Sequence, residues 1–183
     1  MPSPRRVAVV GATGIAGQQF VVALQRHPWF TITRLAASTR SAGKRYGEAL
    51  LDAKTGARRW WCAEEPPAAV LDLRVEDGDA FDASSVDVVF SATESEIAQV
   101  QEPLFARTTP VISTASAFRD APDVPLLVPN VNMDHAGLIA TLRRNRGWAG
   151  FIAPTPNCTA LGLVITLKPL RSEERRVGKE CRL

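Results

Sequence analysis

The chain has 183 residues, 45% of them apolar and 22% charged, with a formal net charge of +3. That length fits one large domain or two small ones, and the composition supports a packed core, excluding a disordered or fibrous chain. Setting aside Arg171–Leu183, 17 basic and 16 acidic residues remain, so no nucleic-acid-binding surface is expected.

The cluster Arg143, Arg144 and Arg146 reads as solvated charge at a helix end. No apolar run reaches the ~18–20 residues that span a bilayer, and the few residues before the first strand leave no room for a secretory leader. A cytoplasmic protein without a membrane partner is expected. Cys62, Cys158 and Cys181 lack the number and spacing of a disulfide or zinc framework, so no metal is expected.

In chain order, Arg6-Val-Ala-Val-Val10 is an apolar strand that ends in Gly11-Ala-Thr-Gly14-Ile-Ala-Gly17. Phe20, Val21 and Leu24 then recur at helical spacing over 18–26. Residues 31–37 form a second strand, set off by His27-Pro28. The stretch 43–67, with Trp60-Trp61, is irregular and reads as an excursion between strands. Residues 86–91 form a third strand, followed by a helix over 94–106. Strands at 109–113 and 126–128 are each bounded by proline. A helix is expected from Asn132 to about 145, then the short apolar run Phe151-Ile-Ala-Pro154, then an apolar helix over 159–170. Strands alternating with helices imply an α/β fold, a Rossmann-like, doubly wound, mainly parallel sheet.

Glycines let the chain turn tightly and let a pyrophosphate approach backbone N–H groups at a helix N-terminus. Gly11, Gly14 and Gly17 follow a strand and open a helix, as a dinucleotide site requires; a βα turn without ligand is the alternative. NAD-preferring folds carry an acid after the second strand, to hold the ribose 2′-hydroxyl. Here Ser38-Thr39-Arg40-Ser41 stands in that place, and no carboxylate follows until Glu48. Hydroxyls and a guanidinium suit a 2′-phosphate, which favours NADP over an ordinary basic loop.

Cys158 falls between a short strand and an apolar helix, where the helix dipole stabilises a thiolate, so it is a candidate nucleophile. A lone cysteine is equally often a small buried hydrophobe, and the spacing does not separate the two. Cys62, beside two tryptophans, takes the structural reading.

Together, Gly11-Ala-Thr-Gly14-Ile-Ala-Gly17, Ser38-Thr-Arg40-Ser-Ala-Gly43, Ser116-Ala-Phe-Arg119, Asp123-Val-Pro-Leu-Leu-Val-Pro-Asn-Val-Asn132 and Pro156-Asn-Cys158-Thr resemble aspartate-semialdehyde dehydrogenase, especially its fungal and archaeal branch. The resemblance runs from Arg6 to about Leu170. It implies a Rossmann NADP domain over 1–153, and the start of an α/β catalytic and dimerisation domain over 154–170. It implies reversible, NADP-dependent reductive dephosphorylation of 4-phospho-L-aspartate to L-aspartate 4-semialdehyde, a step toward lysine, methionine, threonine and isoleucine. Cys158 would then form the thioester, while Arg119 and Asn157 would hold the phosphate. Gly11, Thr13, Gly14, Ile15 and Ala16 would hold the pyrophosphate, and Ser38, Arg40 and Ser41 the 2′-phosphate. The family is a homo-oligomer of chains about twice this length.

The family's catalytic histidine and carboxylate-gripping arginine belong beyond the cysteine helix. His27 and His135 do not match that position, so this chain alone is expected to be inactive. Residues 171–183 resemble nothing in the family and are expected to be foreign, of the kind a translated sequencing adapter leaves. Two rival readings stand. N-acetyl-γ-glutamyl-phosphate reductase shares the fold but typically carries Pro-Gly-Cys-Tyr at its cysteine; a non-catalytic NADP-binding module is the other.

Overall fold

Alternation along β1 (Arg5–Val10) sends Val7 and Val9 to one face of a sheet and Ala8 and Val10 to the other. All four are buried, because helices cover both faces. The first face packs Val21 and Leu24 of α1 (Ile15–Leu24); the second packs Phe105 and Ala106 of α4 (Ser95–Ala106). The computed structural model describes residues 3–180, with side chains through 170. The tail expected to be foreign therefore lies outside the described side chains.

The remaining strands are β2 (Phe30–Ala37), β3 (Val75–Asp77), β4 (Val88–Ser91), β5 (Val111–Ser113) and β6 (Ile152–Pro154). All pair in parallel, in the order β3-β2-β1-β4-β5-β6. From the central pair β1 and β4 the two halves wind outward in opposite directions, so a crevice opens at their carboxyl ends. The doubly wound α/β expectation holds, and the sheet is wholly parallel.

Two elements differ from expectation. Residues 126–128 form no strand, because the side chain of Asn132 takes their backbone groups. Its Oδ1 accepts the Val128 N–H at 2.7 Å, and its Nδ2 donates to the Leu126 carbonyl at 2.8 Å. The helical segment does open at Asn132, but the Asn132 side chain is occupied and does not cap it, and its first turn (Met133–Gly137) is 3-10 before α5 (Leu138–Arg146). Conversely, β3 went unforeseen. Only Val75 of its three residues is buried, which leaves no periodicity to detect.

The excursion after β2 holds α2 (Tyr46–Ala49) and α3 (Ala68–Leu71). It is bound to the glycine turn at two buried points. The Tyr46 hydroxyl donates to the Ala12 carbonyl at 2.7 Å. Gln18 donates to the carbonyls of Thr13 and Arg59 and accepts the Trp61 N–H. At the far edge α6 (Cys158–Glu180) follows β6 and leaves Leu163, Ile165, Leu167 and Leu170 exposed. Among the described residues, no helix is long and apolar enough to cross a membrane.

Candidate functional site

The carboxyl ends of β1 to β4 open into a cleft of about 300 Å³. Gly11, Thr13, Gly14 and Ser38 all line it. Gly11 has φ +78°, and a Cβ there would meet the Ala92 carbonyl oxygen at 2.4 Å. A Cβ on Gly17 would lie 2.2 Å from the Gly11 carbonyl oxygen, so the helix approaches the turn as only glycine permits. Gly14 caps α1 in an extended conformation, with no side-chain cap bond and no acid in the first turn. The first N–H groups of the helix are left for an anion in the cleft. Ile15 and Ala16 have exposed side chains and would act through that backbone.

The Ser38 carbonyl accepts the Ser41 N–H at 2.8 Å, which closes a tight turn with Arg40 exposed at its crest. Ser41 is buried behind the turn and does not line the cleft. Sequence reasoning missed the opposite wall. Asp77, Gly78 and Asp79 enter from β3, and Gln101 from α4. Asp77 Oδ1 accepts the Asp79 N–H at 3.2 Å, and Gln101 Nε2 donates to Asp79 Oδ1 at 2.7 Å. Two carboxylates therefore flank the cleft, from β3 and not from the end of β2.

A second group gathers at the ends of β5 and β6. Arg119 Nε donates to the Thr155 carbonyl at 2.9 Å, and its Nη2 to the Thr114 carbonyl at 2.8 Å. Two residues beyond Thr155, the Asn157 side chain accepts the Thr159 N–H at 2.9 Å and so caps α6. Cys158 Sγ lies 4.0 Å from Asn157 Oδ1, exposed at the helix start. Arg119, distant in sequence from the adjacent Asn157 and Cys158, is thus bound to the loop that leads to them. The Ser95 and Ser116 hydroxyls, 2.6 Å apart, tie the start of α4 at the nucleotide cleft to the turn that carries Arg119.

The family model described as semialdehyde dehydrogenase, NAD binding domain, matches residues 6–139. The chain belongs to this semialdehyde dehydrogenase family. The aspartate-semialdehyde dehydrogenase of Archaeoglobus fulgidus is 47% identical over 165 residues, which are 90% of this chain and 46% of that protein. The crystal structure of aspartate-semialdehyde dehydrogenase with NADP from Candida albicans superposes with TM-score 0.79 at 35% identity, covering 93% of this chain and 48% of that one. A malonyl-CoA reductase (NADP) of Metallosphaera sedula is 36% identical over 94% of this chain and 46% of its own length. The chain spans about half the length of the relatives it matches.

Other groups in this semialdehyde dehydrogenase domain sort by their surroundings. Burial pushes the Cys62 thiol up, with Glu64 adding to the rise, which disfavours its thiolate. His27 stacks on Phe30 at 4.8 Å where the chain enters β2, at the sheet end opposite the cleft. His135 is exposed beside Asn132. Arg146 corrects the expectation of solvated charge: it pairs with both carboxylate oxygens of Asp123 and lies over the Phe118 and Trp148 rings. Glu102 was not singled out in the sequence either. Its carboxyl is wholly buried, and burial pushes it up against the lowering by the Ser113 and Ser91 hydroxyls.

Proposed function

We propose that this chain is the NADP-binding and cysteine-bearing part of a cytoplasmic aspartate-semialdehyde dehydrogenase of the fungal and archaeal type. In this reading 1–153 is the cofactor domain, 154–170 opens the catalytic and dimerisation domain, and 171–183 stands outside both. The observation that carries it is the Arg119–Thr155 hydrogen bond, which sets a guanidinium beside the loop that leads to Asn157 and Cys158. An acyl phosphate needs both a nucleophile and a cation for its leaving group, and arginine suits phosphate geometry.

The cradle at Gly11 and Gly17 and the open end of α1 fit a dinucleotide pyrophosphate. Gly11, Thr13, Gly14, Ile15 and Ala16 would hold it, while Ser38 and Arg40 would meet the 2′-phosphate on the turn that the buried Ser41 closes through its N–H. The cofactor, when bound, supplies the hydride. The Cys158 thiolate attacks the acyl carbon of 4-phospho-L-aspartate, a C–S bond forms and the C–O bond to phosphate breaks. Arg119 and Asn157 take the charge of the departing phosphate. Reduction of the thioester then releases aspartate 4-semialdehyde and restores the thiolate.

The cofactor assignment predicts that Arg40→Ala weakens NADP(H) binding about tenfold and changes NAD(H) binding less than twofold. Calorimetry with both cofactors checks it, and equal losses would reject it. The 183-residue chain alone should bind NADP(H) without turnover, since neither His27 nor His135 falls at the sequence position where the family carries its acid–base group. Joined to the remaining length of the Archaeoglobus fulgidus relative, it should form NADPH from aspartate 4-semialdehyde and phosphate. A folded chimera with no such activity counts against the reading. The similarity to malonyl-CoA reductase (NADP) favours one other reading, in which Cys158 accepts its acyl group from a CoA thioester. Turnover with an acyl-CoA and none with the acyl phosphate would select it.

A further inference from the structure

Glu102 touches neither the cleft nor the cysteine loop, yet its hydrogen bonds lead to the second of these. It stands on the inner face of α4 at 0% exposure and forms no ion pair among the described residues. Its Oε1 accepts the Ser113 hydroxyl at 2.5 Å, while Oε2 has no hydrogen-bond partner among the described residues. Ser113 ends β5 and is itself buried. Its single hydroxyl proton goes to Glu102, so an Oγ lone pair is left to accept the Ala115 N–H at 3.0 Å. The Ser113 carbonyl accepts the Thr155 N–H at 2.8 Å. The carbonyls on either side of this junction, Thr114 and Thr155, are the two that hold Arg119.

In the low-dielectric interior a buried hydrogen bond is strong and holds the groups it joins in place. Without an acceptor on α4, the Ser113 hydroxyl is free to turn toward another carbonyl, and the Ala115 N–H loses its partner. The chain between β5 and Arg119 would then relax, moving one of the two carbonyls that aim the guanidinium.

We propose that Glu102 is a positioning residue for the acyl-phosphate site: the buried acceptor that orients Ser113 and thereby sets Arg119 against the Asn157–Cys158 loop. This rests on the reading of Arg119 as the phosphate-binding arginine. Glu102 acts through a hydrogen bond it accepts, not through a charge delivered to substrate. Glutamine, which keeps an acceptor oxygen in the same place, should therefore replace it.

The test uses the 183-residue chain and the iodoacetamide labelling rate of the Cys158 peptide, read by mass spectrometry at increasing inorganic phosphate. In the parent chain phosphate should slow labelling, and Arg119→Ala should abolish that protection. Glu102→Leu keeps volume and removes the acceptor; it should raise the half-protecting phosphate concentration about tenfold, the scale of one lost buried hydrogen bond. Glu102→Gln should stay within about twofold of the parent. NADP(H) affinity should be unchanged in all of them, reporting an intact cleft. Should Glu102→Leu fail to fold, Ser113→Ala cuts the same link with a smaller change and should shift protection likewise. Parent-like protection in a folded Glu102→Leu or Ser113→Ala chain overturns the proposal, as does a Glu102→Gln chain as impaired as Glu102→Leu. Absence of phosphate protection in the parent itself overturns the Arg119 reading, and this inference with it.

Discussion

Replacing Cys158 by serine should reduce turnover of the completed enzyme by about a thousandfold or more, some 4 kcal/mol of barrier, while NADP(H) affinity stays within twofold. The thiolate is the reactive form of cysteine and sulfur is a far better nucleophile than a hydroxyl oxygen, which needs a partnered base. Among the described residues no base is hydrogen-bonded to Cys158: Asn157 Oδ1, 4.0 Å from its Sγ, is engaged by the Thr159 N–H, and a base in the remaining half, matched to a thiol, would not activate a hydroxyl as well. Serine would fit, since Cys158 is exposed and its backbone opens α6 without a side-chain bond of its own to the helix. Cofactor affinity should survive because the cleft is built from β1 to β4 and α4, whereas Cys158 follows β6. NADPH formation by the chimera gives the first quantity and calorimetry the second. A Cys158→Ser enzyme within tenfold of the parent rate would assign the chemistry to another group.

The first half of this arrangement was legible because local chemistry dictates it. The Val-Ala-Val-Val run of β1, three glycines and an apolar helical stripe admit few other structures, and each is a signal among residues close in sequence. What escaped depends on distant partners. Nothing within Val75–Asp77 says that it pairs with Leu35–Ala37, so the acidic wall of the cleft stayed hidden. The apolar run at 126–128 has the composition of a strand, and only the Asn132 side chain withdraws its backbone from pairing. Glu102 reads as one more charge on an amphipathic helix until Ser113 meets it from the sheet. Arg146 likewise reads as solvated until Asp123, Phe118 and Trp148 close around it. The association of Arg119 with Cys158 was legible only through the family resemblance, because no spacing rule links residues on different strands.

Gly17→Ala should cost about 3 kcal/mol of stability, or roughly 6–12 °C in midpoint, and remove NADP(H) binding. Gly14→Ala should leave the midpoint within about 2 °C and still weaken binding. The two glycines sit three residues apart in one motif, and composition alone treats them alike. Their surroundings differ. A Cβ on Gly17 would lie 2.2 Å from the Gly11 carbonyl oxygen and 2.7 Å from the Ala12 Cα, both backbone atoms that no rotamer can move. Relief requires α1 to back away from β1. That separates Val21 from Val7 and Val9 and shifts Gln18 and the excursion that it holds. The turn would reopen, and the N–H groups aimed into the cleft would lose their alignment. On Gly14 the nearest atom to an added Cβ is the Gly11 carbonyl oxygen at 3.4 Å, and its φ of −79° suits any residue. The fold accepts that methyl, but it stands in the cleft where the pyrophosphate must approach. Thermal melts with and without NADP(H) separate the two outcomes. A Gly17→Ala chain that melts like the parent and binds normally would mean that the close approach of α1 to the turn is not what shapes the site.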